Sequence, residues 1–110
     1  MTTYRRRPRA PLNVLLNKVF GESMFMCHAA DISEDGIFLS RLLEPAFEGR
    51  EVSLEFALPG EDEILWARGK IVREGHHRRR CEGAAVRFTI LPELYRDKIR
   101  GYVERCELAA

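Results

Sequence analysis

Asp31-Ile32-Ser33-Glu34-Asp35-Gly36 is the stretch whose reading decides the fold. An apolar run, Met24 to Ala30, leads into it, and Ile37-Phe38-Leu39 follows at once. A polar, glycine-ended segment between two strand-like runs reads as a tight turn. Asp31 and Ser33 can bond back to nearby backbone N–H groups, and Gly36 can take a positive φ at no steric cost. Turns of this make-up are common, so the segment by itself assigns no function. Its meaning comes from the chain on either side.

Upstream, Leu12 to Phe20 reads as a strand whose even positions are apolar, with Lys18 breaking the set. Met24 to Ile32 is apolar on both faces and predicts a central strand covered on each side. Downstream, Ile37 to Ser40 is a short strand. Glu51 to Leu58 alternates, with Val52, Leu54, Phe56 and Leu58 facing in, the pattern of a sheet with one wet face. Pro59-Gly60 supplies the centre of a type II turn. Ile64 to Arg73 is a long strand in which Gly69 marks a bulge or bend. Glu74 to Glu82 reads as a polar loop, and Ala84 to Ile90 as the last strand. Pro92 then opens a helix with Tyr95, Ile99, Tyr102, Val103 and Cys106 on one stripe. Six antiparallel strands and one helix fit a mainly β fold, a closed six-stranded β-barrel with a C-terminal α-helix, since closure removes exposed edges.

The 110 residues are 45% hydrophobic, which suits one domain with a modest core. Charged residues make up 32%, yet the net charge is only +1, so bulk charge names no partner. Its distribution is more telling: residues 1–20 hold four arginines and one lysine and no acid. Residues 1–11 read as a flexible basic arm, extended by Pro8 and Pro11, and 12–110 as one domain. In an extended arm, Arg5 and Arg9 point the same way. Cys27, Cys81 and Cys106 are odd in number and far apart, so no disulfide framework is implied and a reducing cytoplasm is favoured. Asn13, Asn17 and Lys18 interrupt any export-signal core. No segment nears the roughly 18 apolar residues that span a bilayer, so no membrane insertion is expected.

Catalysis is not expected. No histidine has a nucleophile or carboxylate at motif spacing, and Asp31, Glu34 and Asp35 share one turn rather than flanking a cleft. His28, inside an apolar strand, has no partner at metal spacing. DNA or RNA binding is also disfavoured, because Phe56 and Phe88 fall on inward faces instead of forming an open stacking platform.

Arg5-x-x-x-Arg9, followed by Asp31-x-Ser33-x-x-Gly36, resembles the two-part signature of the PilZ domain family. Gly83-Ala84-Ala85-Val86-Arg87-Phe88 is similar to that family's closing strand, and the similarity runs over roughly residues 5 to 105. The resemblance implies a six-stranded antiparallel barrel and, as ligand, the bacterial second messenger cyclic di-GMP. It places Arg5, Arg9, Asp31, Ser33 and Gly36 at the ligand, and Arg6 joins them, with Arg6 and Arg7 adding either phosphate contacts or general attraction. Arginine suits both parts of such a ligand, forking onto phosphate oxygens and onto guanine O6 and N7. Asp31 can accept from the guanine N1–H and N2–H edge. Tyr4, just ahead of the arginines, is compatible with one messenger molecule or a stacked pair. The implied function is a receptor that changes its surface on capture and signals to an unidentified effector protein, needing no other cofactor, as a monomer or weak dimer. The alternative is a PilZ-fold protein that binds no messenger and acts as an interaction adaptor in bacterial motility or envelope regulation.

Overall fold

Glu51–Phe56 is the simplest strand to account for. Val52, Leu54 and Phe56 are buried while Glu51 and Glu55 are exposed, so one face meets a core and the other meets water. The same logic recurs around the computed structural model, which describes residues 8–41, 49–77 and 81–109. Strands β1 (Ala10–Phe20), β2 (Ser23–Ile32), β3 (Gly36–Arg41), β4 (Glu51–Phe56), β5 (Leu65–His77) and β6 (Cys81–Ile90) precede helix α1 (Glu93–Ala109). Every strand pairing is antiparallel, and the order β1-β2-β3-β6-β5-β4 closes into a barrel through β1 and β4. The expected fold class is the observed one.

Inward side chains of all six strands form one core, and Ile99 and Val103 of α1 belong to it. Tyr95, Tyr102 and Cys106 pack beside them, partly buried, so the predicted helical stripe is the face that meets the barrel. The Pro92 carbonyl accepts the N–H groups of Tyr95 and Arg96 at 2.9 and 3.0 Å, and proline has no N–H of its own to leave unsatisfied there. Gly60 has a φ of 82°, and Glu61 N–H donates to the Leu58 carbonyl at 3.0 Å, as a type II turn at Pro59-Gly60 requires. Gly69 lies at a register shift between β5 and β6.

Four expectations are corrected. Met24–Ile32 is not covered on both faces, for Met24 and Met26 are 61% and 56% exposed. A closed single-layer barrel gives each strand one outward face, and here that face happens to be apolar. Lys18 does not break β1; it keeps the inward parity and is only 2% exposed. The polar stretch Glu74–Glu82 is mostly ladder: β5 runs to His77 and β6 starts at Cys81, with Glu74 opposite Ala84 and His76 opposite Glu82. Backbone pairing carries a two-stranded ribbon past the core without apolar side chains. Finally, β1 begins at Ala10, two residues before the strand start expected at Leu12, with Ala10 opposite Ile32.

Two predictions follow from these contacts. A Cβ on Gly83 would sit 2.1 Å from the Leu39 carbonyl oxygen and 3.0 Å from Phe38 Cζ. Gly83→Ala therefore strains the β3–β6 seam and should lower stability by about 1–3 kcal/mol, read as an earlier urea midpoint. Burial pushes the Lys18 ammonium below its ordinary value of 10.5, partly offset by Cys27. Below 10.5 the unfolded chain holds this proton more readily than the folded one, so the lysine's contribution to stability rises with pH through that window. Lys18→Met should be most stabilising relative to wild type near pH 7, and the gap between their urea midpoints should narrow towards pH 10.

Candidate functional site

The turn between β2 and β3 is built from its own side chains outward. Ser33 N–H donates to the Gly36 carbonyl at 2.8 Å, and Asp35 N–H donates to Ser33 Oγ at 3.1 Å. Ser33 is 1% exposed, so its hydroxyl serves the turn from inside. Asp35 also accepts Phe88 N–H through its carbonyl at 2.8 Å, which fastens the turn to β6. Gly36 is needed for space rather than for a positive φ. A Cβ there would lie 2.3 Å from the Val86 carbonyl oxygen, a contact no side chain tolerates. Asp31 is left on the outer edge of this rigid bend.

Arg9 stands just before β1, and the pairing of Pro11 with Asp31 brings it to that edge. Its Nε donates to Asp31 Oδ1 at 2.7 Å. Both side chains stay partly exposed, 42% and 36%, so the pair is worth no more than about 1 kcal/mol and is cheap to exchange for another partner. Among the described residues, the two terminal nitrogens of Arg9 and Oδ2 of Asp31 make no further hydrogen bond. Arg5 and Arg6 lie outside the described residues. Of the six residues singled out in the sequence, then, Arg9 and Asp31 meet directly, while Ser33 and Gly36 shape the bend that holds Asp31.

Further groups stand near this edge. His28 on β2 has both ring nitrogens engaged, Nδ1 with Ser40 Oγ at 2.7 Å and Nε2 with Asn13 Oδ1 at 2.6 Å. Asn13 reaches it from a break in the β1–β2 register, where its φ is 48°; asparagine tolerates that conformation better than most residues. Both ring nitrogens are thus satisfied within the fold. The helix contributes more. Arg96 Nη1 donates to the Glu34 carbonyl at 2.9 Å, and Arg100 forks onto both Glu34 carboxylate oxygens at 3.2 Å through Nε and Nη2. The Arg100 value is raised, first by its hydrogen bond to Glu34. Tyr102 donates its hydroxyl to the Pro11 carbonyl, and burial, with Cys106 close by, pushes that hydroxyl up to about 12, so it remains a donor. The i, i+4 spacing of Arg96 and Arg100 was a visible signal for one cationic flank on α1. Nothing local said what that flank would meet.

A basic residue is thus held over an acid-hydroxyl bend on the outside of a small closed barrel. The PilZ domain model matches residues 3–105. This chain is a PilZ domain. Comparison with curated proteins finds no match. Among solved structures, the PilZ domain is similar to the Bacillus subtilis inhibitor of motility (MotI/DgrA), with a TM-score of 0.80 and 16% identity over 98% of this chain and 53% of that one. It is also similar to the Borreliella burgdorferi PlzA protein, solved in complex with c-di-GMP, with a TM-score of 0.67 and 15% identity over 92% of this chain and 41% of that one. The PilZ domain thus spans about half the length of these two proteins, and at such identities the likeness concerns the fold.

The contacts of Glu34 make it the tie between the bend and the helix. Glu34→Gln removes the charge that holds Arg100 and keeps the shape. Amide exchange through the middle of α1 should accelerate several-fold in this variant while the core strands stay protected. Unchanged exchange would show that apolar packing alone docks the helix.

Proposed function

We propose that this PilZ domain is a receptor for cyclic di-GMP, captured between Arg5, Arg6 and Arg9 on one side and the Asp31–Gly36 bend on the other. The observation that carries the reading is the Arg9–Asp31 contact at 2.7 Å. It brings Arg9 of the first motif and Asp31 of the second, 22 residues apart, together on the outer barrel wall. Each partner has ligand-facing capacity left over. Asp31 accepts from the N1–H and N2–H edge of a guanine, an edge adenine does not present. Arg9 turns its terminal nitrogens, which bond to no other described residue, to phosphate or to guanine O6 and N7. Ser33 and Gly36 act in this scheme by fixing where Asp31 stands. The solved PlzA complex with c-di-GMP supports the choice of ligand.

Capture exchanges a weak internal ion pair for several charge-assisted bonds and orders the arm, at about 1–2 kcal/mol of backbone entropy per residue. The net result is a micromolar receptor, about −8 kcal/mol, whose output is a change of surface read by an effector protein. No catalytic step is part of this scheme. The free thiols Cys27 and Cys106 support a reducing, cytoplasmic setting.

Calorimetric titration with cyclic di-GMP tests the proposal. Wild type should bind with a micromolar Kd, and Arg9→Ala and Asp31→Ala should each weaken binding tenfold or more, at least about 1.4 kcal/mol. Salt dependence should be shallow, as befits a ligand with two phosphates. A flat trace from wild type would move the assignment to an adaptor that works without the messenger, in motility or envelope regulation.

A further inference from the structure

Away from the Arg9–Asp31 edge, the outer wall of the barrel carries an apolar cleft of ≈ 460 Å³ between β1, β2 and the end of β4. Its rim is Leu15, Met26 and Ile64, each more than half exposed, and Leu16 and Phe56 lie beneath. One row of paired residues crosses it, Met26 opposite Asn17, Asn17 opposite Glu55, and Glu55 opposite Trp66. Leu15, Met26 and Ile64 thus meet around one cleft instead of standing apart on the wall. Methionine at the rim can repack around varied shapes.

The charge in the cleft selects the occupant. Glu55 lines it, and among the described residues it has no hydrogen bond or ion pair. Exposed Glu61 and Asp62 stand on the connection that ends at Ile64, and Glu63 is already held by Lys98 at 3.2 Å. A second copy docked face to face would set Glu55, Glu61 and Asp62 against their own symmetry mates, because a two-fold interface meets itself. Nucleic acid and anionic membranes are repelled by the same acids. We propose that this cleft docks a basic amphipathic segment of a partner protein, with apolar side chains seated between Leu15, Met26 and Ile64 and a lysine or arginine paired to Glu55. The assignment is independent of the nucleotide reading, since neither Arg9 nor Asp31 lines the cleft.

Trp66, the only tryptophan of the chain, sits beside Glu55 and reports occupancy. The full chain is titrated with a synthetic amphipathic helix of leucine and lysine, and in parallel with its leucine–glutamate counterpart, while tryptophan emission is followed. The lysine peptide should bind saturably with a blue shift, and the glutamate peptide should not bind. Met26→Asp and Glu55→Lys should each weaken the lysine peptide by about tenfold or more, whereas Leu94→Asp, exposed on α1, should bind as wild type does. All three positions are exposed, so the variants are expected to fold, which circular dichroism checks. The proposal is overturned if no saturable binding occurs, or if Leu94→Asp loses as much as Met26→Asp. It is equally overturned if wild type sediments as a dimer that Leu15→Asp dissociates.

Discussion

The seam between β3 and β6 is the constraint on which the rest depends. Strands adjacent in sequence build the hairpins β1–β2–β3 and β4–β5–β6, and only β3–β6 and β1–β4 join the two sets. At the first joint the backbones approach so closely that Gly36 and Gly83 leave no space for a Cβ against opposing carbonyl oxygens. A barrel left open there would present unpaired edges and would lose the hold of β6 on Asp35. The bend carrying Asp31 is therefore a product of closure as much as of its own hydrogen bonds.

From that rigid edge the geometry of the candidate site follows in short steps. Pairing of β1 with β2 delivers Arg9 to Asp31. The helix then touches both partners' neighbourhoods, Glu34 through Arg96 and Arg100, and Pro11 through Tyr102. Rearrangement at the bend or at the start of β1 is thus felt by α1 through polar contacts, while Ile99 and Val103 keep the helix on the core. Apolar burial sets where the helix lies, and the ion pairs couple it to the site.

What could be read in advance was whatever is written in local chemistry. Val52, Leu54 and Phe56 announce their inward face by alternation, Pro59-Gly60 its turn, and Ile99 with Val103 the buried helical stripe. The Arg9–Asp31 contact was legible only through the resemblance to a known signature, because no spacing rule joins residues so far apart. The misreadings share a cause. Met24 and Met26 look like core until closure gives β2 an outside, and Lys18 looks like surface until parity turns it inward. Glu74–Glu82 looks like loop because backbone pairing leaves no mark on side-chain polarity. Gly36 was assigned to turn conformation when the real demand, from Val86, lies fifty residues away.

The strand order has a consequence for how this chain is made. Because β3 finds its second neighbour only in Cys81–Ile90, a nascent polypeptide leaving the ribosome carries the outer flank of β3 unmated until most of the domain has been translated. Long-range closure of this kind is slow and leaves such edges open to other chains. The unpaired edge thus belongs to the growing chain, and the finished barrel has none.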